Sequence, residues 1–528
     1  MNYVDHPLIE SETVEARVYQ QVIFDSARKE NTLVVLPTGL GKTEIAIMLT
    51  AHKLSESKKS KILMMAPTRP LVTQHEETFK ETLNISEEKI RTLTGKVKPE
   101  KRKGGWSEGQ IFFATPQTVE RDMVSGKFSP EDFTLMVFDE AHRAVGDYPY
   151  GFVAESYEES RDDSLILALT ASPGSSSEKI KKVKRNLRIR NVEARTEDHP
   201  NVEEYVQETD VERRMLEFPE PLAKMKNFLE KQLKQHLKNL KDMDFLDSIQ
   251  NVGKKELLSV KKKINKVRKQ KSPNPPGKCF KGMMDQASAF RLSHCIELLE
   301  SQGLSSLKKY LDRMEEKAKK SGASKSLRIL MNSPNVEKVK NLVDSTAGRI
   351  DNPKLEEAKK IVTKQFSEKP QSKIMLFAHY RDSIDQLYHE LKQVEDVKPT
   401  KFIGQSDRKN EDGMSQKIQK ETIQEFRDGH YNTLISTAVG EEGLDIPSVD
   451  LALFYEPVPS EIRSIQRRGR TGRQKPGKVI VLIMKGTRDE SFYWAAFHKE
   501  KKMRETLKEI SKNDESDNQK SIEEYGDD

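Results

Sequence analysis

Residues 33–43 read LVVLPTGLGKT, and this stretch decides the fold of the first part of the chain. Apolar residues without alternation lead into a glycine-containing turn, and the stretch from Glu44 to Leu54 that follows has helical spacing. Glycines at positions 39 and 41 let the backbone turn tightly, so that N–H groups at the start of the helix point at a bound phosphate. The stretch predicts a phosphate-binding loop made of Pro37, Thr38, Gly39, Leu40, Gly41, Lys42 and Thr43.

Two side chains of this loop would carry its chemistry. Lys42 reaches the β- and γ-phosphates of a nucleotide, and the hydroxyl of Thr43 is suited to Mg²⁺. The general pattern has glycine where this chain has Leu36, so the loop is a variant form. An ordinary glycine-rich turn is the alternative interpretation of these residues taken alone.

Short apolar runs bounded by turn residues recur along the chain. Runs without alternation are typical of strands covered on both faces, and helix-length polar stretches separate them, which predicts parallel sheets wound with helices. The chain therefore has an α/β fold with two such domains. The runs are residues 62–65, 111–113, 135–138 and 165–169 in the first domain and 374–377, 433–436, 451–454 and 479–482 in the second.

Two adjacent carboxylates follow the apolar run that ends at Phe138. Asp139 is suited to a second Mg²⁺ contact, and Glu140 can orient and deprotonate the water that attacks a γ-phosphate. An acidic turn at a strand end is the bland alternative. This alternative is less favoured, because a phosphate loop lies upstream in the same predicted sheet.

An arginine-rich segment in the second domain, residues 466–473, reads QRRGRTGR. Four arginines separated by glycines repel one another and favour an anionic partner. Arg470 and Arg473 could neutralise γ-phosphate charge across a cleft, and Gln466 would also face the nucleotide. A nucleotide site divided between two domains converts hydrolysis into domain motion.

A lysine-rich, helical region separates the two α/β domains. Residues 224–281 hold 17 Lys or Arg and 5 Asp or Glu, a balance of 17 − 5 = +12, whereas the whole chain carries +7. We expect this region to bind the phosphate backbone of a duplex or branch, although a merely solvated surface is the alternative. The candidate contacts are Lys261, Lys262, Lys263, Lys266, Arg268 and Lys269. The predicted domains are residues 1–210, 211–351 for the helical insert, 352–510, and an acidic, disordered tail at 511–528.

The composition indicates in which cellular compartment the protein occurs. Two cysteines cannot form a disulfide framework or a four-cysteine zinc site, which favours a reducing compartment. The N-terminus lacks the pattern of a signal peptide, and no apolar run is long enough to span a membrane. We therefore expect a cytoplasmic, nucleoid-associated protein that is not secreted and has no membrane partner.

These motifs in this order resemble those of the superfamily 2 helicases of the DEAH type. The resemblance implies two RecA-like parallel-sheet motor domains, ATP and Mg²⁺ as cofactors, and an inserted all-helical domain. Residues 169–173 resemble the element that couples ATP hydrolysis to nucleic-acid movement. The resemblance further implies adenine recognition by Arg17 and Gln20, nucleotide contacts from Gly443 and Asp445, and nucleic-acid contacts from Thr68, Arg69, Pro70, Thr115, Pro116, His379 and Thr437.

A narrower resemblance comes from residues 402–406, 413–417 and 425–429 together with the helix that begins near Arg291. These segments are similar to the archaeal Hef helicase and its Fanconi anaemia M relatives, which remodel forked and branched DNA. The resemblance implies an ATP-dependent DNA helicase or translocase that acts at stalled forks. This chain lacks the signature of the XPF-type nuclease that commonly follows in Hef, so cleavage is not predicted. Protein partners could bind through the acidic tail.

Two alternatives belong to other functional classes. Duplex-RNA-dependent ATPases of the innate-sensor and Dicer type also carry a helical insert, but the sensors end in a four-cysteine zinc domain that two cysteines cannot supply. A non-catalytic nucleic-acid scaffold would need no intact motor. The presence of Lys42, Asp139, Glu140 and the arginines argues against it.

Overall fold

The computed structural model describes residues 3–174, 176–206, 209–250, 252–270, 276–346, 352–404, 413–437, 440, 446–468 and 477–524. Residues 461, 462 and 510–524 are described by their backbone alone. Two parallel sheets and a bundle of helices make up the described chain.

The first domain is built on seven described strands in the order β3-β4-β2-β5-β6-β1-β7, with all pairs parallel. The strands are β1 (Thr32–Val35), β2 (Ile62–Met65), β3 (Ile90–Leu93), β4 (Ile111–Ala114), β5 (Leu135–Phe138), β6 (Ile166–Thr170) and β7 (Asn191–Ala194). The helices are α1 (Val18–Ala27), α2 (Lys42–Glu56), α3 (Arg69–Thr82), α4 (Pro99–Ser107), α5 (Pro116–Val124), α6 (Tyr150–Ser160) and α7 (Ser177–Asn186).

Both faces of this sheet are covered, as the apolar runs predict. Along β1, Val34 packs into one core while Leu33 and Val35 pack into the core on the opposite face. The same division holds along β5, where Val137 and Met136 point to opposite cores. The five inner strands therefore bury every side chain, and they lack the alternation of a half-exposed strand.

The second sheet contains six described strands in the order β10-β11-β9-β12-β13-β8, also parallel. They are β8 (Thr209–Leu216), β9 (Ile374–Phe377), β10 (Pro399–Phe402), β11 (Thr433–Ser436), β12 (Leu451–Phe454) and β13 (Gly477–Met484). The helices that accompany this sheet are α14 (Pro353–Glu368), α15 (Arg381–Leu391), α16 (Gln416–Arg427), α17 (Glu461–Arg468) and α18 (Arg488–Glu524).

Between β8 and α14 lies the helical insert, with six α-helices among its described residues. They are α8 (Glu220–Asp242), α9 (Lys254–Gln270), α10 (Gly277–Ser301), α11 (Leu304–Lys319), α12 (Lys325–Met331) and α13 (Pro334–Thr346). Helix α10 runs through the middle, because it packs against α8, α9, α11 and α12. The insert has its own apolar cores, one around Leu229 and Leu299 and a second around Leu257 and Ile264.

The predicted start of the insert at residue 211 is wrong. Residues 209–216 form strand β8, which pairs along its whole length with β13 at the edge of the second sheet. Its side chains are mostly exposed and include Glu212, Arg213 and Arg214, so the strand lacks an apolar run. The insert is therefore inserted within the second domain and begins only at α8.

The predicted disorder of the tail also differs from the structure, because α18 continues to Glu524. Its middle is anchored: Met503 and Leu507 are buried in the core of the first domain, and Arg504 forms an ion pair with Glu197 at 2.9 Å. A helix extends easily from a formed segment, since each added residue gains a hydrogen bond without a new nucleus. The last residues, 525–528, lie outside the described part of the chain.

Replacement of Leu507 by Asp should release α18 from the first domain, because a carboxylate cannot be buried there without a partner. We expect a loss of about 3 kcal/mol in unfolding free energy, in the range of large-to-small core changes. Protease cleavage within α18 and thermal melting measure the change. The exposed neighbour Glu505→Ala is the control, and equal behaviour of both variants would show that the docking contributes nothing.

Candidate nucleotide site and nucleic-acid interface

The predicted phosphate loop connects β1 to the N-terminus of α2. Gly39 and Gly41 have φ of +83° and +69°, and Gly41 is the residue that precedes the first turn of α2. A Cβ on Gly41 would lie 2.0 Å from Nε2 of Gln20, so that side chain would have to move, and the positive φ disfavours any residue with a Cβ. Nζ of Lys42 donates to the carbonyl oxygens of Leu36 at 2.9 Å and Pro37 at 3.0 Å. The ammonium group is thus held over the loop, where phosphate oxygens could replace the carbonyls.

Helix α1 closes one side of the loop. Gln20 is buried, and its Nε2 donates to the carbonyls of Leu40 at 3.4 Å and Gly41 at 3.3 Å. Its Oε1 is also buried and has no hydrogen-bond partner among the described residues. Tyr19, which the sequence analysis missed, donates to the Leu40 carbonyl at 2.9 Å. A buried acceptor without a partner beside a phosphate loop is suited to accept a hydrogen bond from the exocyclic amine of adenine.

Arg17 precedes α1 and is partly exposed. It bonds Glu15 at 2.9 Å, and its guanidinium lies 4.9 Å from the ring centre of Tyr205. These contacts fix the guanidinium of Arg17 near Gln20.

The two carboxylates predicted after β5 have different environments. Asp139 is 8% exposed, and its Oδ2 lies 2.9 Å from Nε2 of His75 on α3. Burial opposes ionisation of Asp139, but the hydrogen bond and charge of His75 outweigh it and hold the pKa of this carboxyl below its usual range. The hydroxyl of Tyr150 donates to the Asp139 carbonyl at 2.6 Å. The carboxylate is therefore ionised and fixed in orientation.

Glu140 has a left-handed backbone, with φ of +50°, which is uncommon for a non-glycine residue. Such strain persists where the surrounding structure demands it, often at functional sites. Its carboxylate lies 3.2 Å from His142, and His142 in turn lies 3.2 Å from Thr170 Oγ1 at the end of β6. The turn thus links the acid to residues 169–173, and the hydroxyl of Ser172 in that segment contacts Met503 of α18.

The donor set fits a magnesium ion carried by a nucleotide. Among the described residues no group of three or more His, Cys, Asp or Glu side chains could hold a metal by itself. Mg²⁺ usually takes one or two protein ligands and completes its shell with phosphates and water. Thr43 in the first turn of α2 and the ionised Asp139 are groups of that kind.

The residues predicted to contact nucleic acid lie at the carboxyl ends of strands. Thr68, Arg69 and Pro70 begin α3 after β2, and Thr68 Oγ1 caps the helix by accepting from the Leu71 amide at 3.5 Å. Thr115 and Pro116 begin α5 directly after β4, the neighbour of β2. The N-termini of α3 and α5 therefore lie at the same edge of the sheet, where a phosphate could approach them.

In the second sheet His379 follows β9 and Thr437 follows β11, and these strands are neighbours. The His379 amide donates to Oε2 of Glu456 at 2.7 Å, and the Thr437 amide donates to the Phe402 carbonyl at 3.1 Å. The structure therefore brings together the predicted contacts within each domain.

The arginine-rich segment begins on α17. Gln466 is buried, and its Oε1 has no hydrogen-bond partner among the described residues. Arg467 is fully buried: it donates to the Glu456 carbonyl at 3.0 Å, and its guanidinium lies 5.1 Å from the ring centre of Phe377. Arg468 pairs with Glu500.

The prediction that all four arginines favour an outside anion is thus wrong for Arg467 and Arg468. Both side chains bond groups within the second domain. Four predicted residues, Gly443, Asp445, Arg470 and Arg473, lie outside the described residues.

Glu456, which the sequence analysis missed, follows β12 and is buried. It accepts from the His379 amide at 2.7 Å and from Ser383 at 3.2 Å. Burial raises the pKa of Glu456 to about 7, and the nearby Lys354 only partly offsets this. An acid directly after an apolar strand was the available signal, the same one that identified Asp139.

The predicted basic contacts of the insert lie on the solvent side of α9. Its buried face consists of Leu257, Val260 and Ile264. The six predicted cations, Lys261, Lys262, Lys263, Lys266, Arg268 and Lys269, are all exposed. A phosphate backbone could approach each of them.

Comparison with known protein families agrees with this architecture. A profile described as Type III restriction enzyme, res subunit, matches residues 10–175, and the helicase conserved C-terminal domain matches residues 353–475. A profile described as putative ATP-dependent RNA helicase, helical bundle, matches residues 222–347. The three matches follow the first domain, the second domain and the insert.

Similar proteins cover nearly the whole chain. The crystal structure of the Pyrococcus furiosus Hef helicase domain superposes with a TM-score of 0.73 at 41% identity, covering 93% of this chain and all of that one. The putative ATP-dependent RNA helicase MJ1505 of Methanocaldococcus jannaschii is 41% identical over 96% of this chain, and the ATP-dependent DNA helicase mph1 of Neurospora crassa is 34% identical over 90%. The chain spans 63% and 41% of the lengths of these two relatives.

The chain belongs to the superfamily 2 helicases, a family of ATP-dependent motors built on two parallel-sheet domains. Within that family it is close to Hef and the Fanconi anaemia M proteins. The two α/β domains are called the first and second motor domains below. In the described residues, no helix is both long enough and apolar enough to cross a membrane.

The raised pKa of Glu456 predicts a pH-dependent stability. The folded pKa of about 7 exceeds the ordinary 4.5, so the folded state binds the extra proton between these values and the free energy of unfolding falls as pH rises through them. Glu456→Gln should remove this slope. The stability of wild type relative to this variant should drop by roughly 2–3 kcal/mol between pH 5 and pH 8, at about 1.36 kcal/mol per unit.

Melting of both proteins at several pH values measures this difference. Glu421→Gln, an exposed carboxylate on α16, is the control and should run parallel to wild type. If the difference in unfolding free energy between wild type and Glu456→Gln does not change with pH, the raised pKa of Glu456 is contradicted.

Proposed function

We propose that this chain is an ATP-driven DNA helicase or translocase that acts on forked or branched DNA in the repair of stalled replication forks. The observation that carries the proposal is the phosphate loop at the N-terminus of α2, in the same sheet as the ionised Asp139 and at the same edge as the nucleic-acid loops. One edge of the first motor domain thus combines ATP chemistry with a strand-binding surface. The mph1 relatives, named as DNA helicases, support the choice of DNA.

In the proposed ATP site, Lys42 leaves the carbonyls of Leu36 and Pro37 and binds the β- and γ-phosphates. Thr43 and Asp139 would hold Mg²⁺, which would supply positive charge that neutralises the phosphates. Glu140 orients the attacking water and accepts its proton. Oε1 of Gln20 accepts from the adenine amine, and Arg17 contacts the base from outside.

The second motor domain completes the site in this proposal. Gln466, Gly443 and Asp445 approach the nucleotide, and Arg470 and Arg473 neutralise the charge that develops on the γ-phosphate. Hydrolysis of ATP then changes the orientation of one motor domain relative to the other.

His75 would orient Asp139 toward the metal. A hydrogen bond to the outer oxygen of a ligating carboxylate fixes its rotation. Because His75 lies on α3, whose first residues are Arg69 and Pro70, the element that contacts nucleic acid also contacts the metal ligand.

Nucleic acid would bind in two places. One strand lies across the loops of Thr68, Arg69, Pro70, Thr115, Pro116, His379 and Thr437. The duplex or branch contacts the six exposed cations of α9, where release of counterions from the phosphates favours binding. Because α9 offers cations without an aromatic side chain, this contact reads the backbone or its shape.

Lys42→Ala should abolish ATP turnover while DNA affinity stays within about two-fold, because the lysine contacts phosphates of the nucleotide alone. Glu140→Gln should still bind ATP but lower turnover by at least about 100-fold, the scale of general-base catalysis. Equilibrium binding of a fluorescent ATP analogue and steady-state hydrolysis measure both quantities. Turnover by Lys42→Ala near the wild-type rate would disprove the loop assignment, and loss of ATP binding by Glu140→Gln would disprove the division of roles.

Neutralising the six cations of α9 to Gln should weaken forked-DNA binding about ten-fold or more and flatten its salt dependence, since fewer counterions are released. Binding to single-stranded DNA should change less, because the strand-end loops hold it. The matched control replaces the same number of exposed lysines away from α9 by Gln, namely Lys58, Lys59, Lys101, Lys103, Lys181 and Lys182. An unchanged salt slope in the α9 variant would reduce the cluster to a solvated surface.

The same assay distinguishes DNA from RNA. ATP turnover is measured at fixed salt with single-stranded DNA, duplex DNA, forked DNA and duplex RNA. Strongest stimulation by forked DNA supports the proposal. Strongest stimulation by duplex RNA would favour an RNA-dependent ATPase, in line with the name of the MJ1505 relative. No stimulation by any of the four nucleic acids would favour a scaffold.

A further inference from the structure

A cluster of charges joins the insert to the second motor domain. Glu297 on α10 accepts a hydrogen bond from the hydroxyl of Tyr380 at 2.9 Å and pairs with Lys254 on α9. One turn later Glu300 pairs with Lys226 on α8 at 2.8 Å and with Arg488 at the start of α18 at 2.8 Å. The two glutamate side chains are 15% and 5% exposed. Three helices of the insert thus meet two elements of the motor at these two acids.

Tyr380 occupies a particular place in the motor. It is the residue that precedes the first turn of α15, and it directly follows His379 of the proposed nucleic-acid loop. Its ring packs edge-to-face on the His379 ring, with centres 4.7 Å apart. Any movement of the Tyr380 side chain therefore moves the His379 loop.

The contacts continue from this loop toward the nucleotide side. The His379 amide bonds the carboxylate of Glu456 at 2.7 Å, and the Glu456 carbonyl accepts from Arg467 at 3.0 Å. Arg467 follows Gln466 on α17. A continuous set of hydrogen bonds and packed rings thus runs from α10 of the insert to the helix that begins the arginine-rich segment.

We propose that Tyr380 and Glu297 form a positioning pair that transmits the engagement of the insert with nucleic acid to the His379 loop and to α17. The pair sets how strongly nucleic acid stimulates ATP turnover. This inference rests on the proposed function and names the residues by which the insert regulates that motor.

The chemistry of the pair suits this role. Burial opposes ionisation of Glu297, but His294 and Lys254 hold its pKa far below the usual range. Burial and the nearby Glu297 raise the pKa of Tyr380 well above its ordinary value, so its hydroxyl keeps the proton. The result is a neutral donor on a charged acceptor, a stronger type of hydrogen bond than a neutral pair.

The hydroxyl of Tyr380 can be removed without undocking the insert. The pairs of Glu300 with Lys226 and Arg488, and of Glu297 with Lys254, do not involve it. Tyr380→Phe therefore tests transmission, because the ring and the ionic junction remain. Tyr388→Phe is the matched control on the same helix α15, since the Tyr388 ring packs against Lys401 at 4.9 Å.

The experiment measures turnover number and KM for ATP with and without forked DNA, and DNA affinity by fluorescence anisotropy. Tyr380→Phe should lower the DNA-stimulated turnover number about ten-fold, corresponding to about 1.4 kcal/mol. Turnover without DNA, KM for ATP and fork affinity should stay within about two-fold of wild type. Tyr388→Phe should match wild type in all four quantities.

Variants of Glu297 provide a second arm. Glu297→Gln keeps an acceptor for the Tyr380 hydroxyl and should retain most of the stimulation, whereas Glu297→Ala should lose as much as Tyr380→Phe. The double variant Tyr380→Phe with Glu297→Ala should be no worse than Glu297→Ala, because the contact that Tyr380→Phe removes is already absent from Glu297→Ala.

Three outcomes would overturn the inference. The first is full stimulation of Tyr380→Phe, and the second is an equal loss of turnover with and without DNA. In the third, additive losses in the double variant would show that the residues act separately. Failure of the proposed function is distinguishable, because wild type itself would then show no stimulation by DNA.

Discussion

Every described strand pair in both motor domains is parallel, and this constraint determines where chemistry can occur. Parallel strands bring all their carboxyl ends to one edge of the sheet, and the crossover helices that they require start at that edge. The phosphate loop, the acid pair and the strand-end threonines are therefore neighbours although they lie far apart in the chain. The same crossovers cover both faces of each sheet, which explains why the central strands are continuous apolar runs.

The burial of strands also explains what could be predicted from the sequence. The central strands that begin near Leu33, Ile62, Ile374 and Leu451 carry uninterrupted apolar runs, and their prediction is confirmed. The four strands that were missed, β3, β7, β8 and β10, are the four edges of the two sheets. Edge strands carry polar residues such as Arg91 in β3 and Glu212 in β8, so the pattern used for buried strands does not detect them. Missing β8 misplaced the start of the insert.

The candidate site shows a similar division. The positions of Lys42, Asp139 and the strand-end threonines after the strands of the two sheets could be predicted from the local sequence, and their chemical roles stay predictions. The partners that hold them could not be predicted. His75 and Asp139 are 64 positions apart, and Tyr380 and Glu297 are 83 positions apart, so only the tertiary fold reveals these contacts. A histidine within an amphipathic helix carries no local sign that it faces a carboxylate.

The second motor domain buries several charges where its elements converge. Lys354 of α14 forms an ion pair with Asp489 of α18, and Glu456 and Arg467 lie nearby, all nearly inaccessible to solvent. Loss of one member of such a pair leaves a buried charge without a partner, which costs about 3–5 kcal/mol. These groups fix the relative placement of α14, α17 and α18. Apolar side chains would not select one arrangement as sharply, because their contacts have no direction.

Since β8 belongs to the second sheet, the insert is attached to the second motor domain through both of its ends. A movement of the second motor domain relative to the first would therefore carry the insert with it. Helix α9, with 17 residues, is about 25 Å long at 1.5 Å per residue. A swing of about 0.15 radian displaces one end of such a helix relative to the other by about 4 Å, close to the ~3.4 Å spacing of successive phosphates along the DNA axis. In the proposed function, a small rotation of the second motor domain would be enough to move the insert by a distance of about one nucleotide.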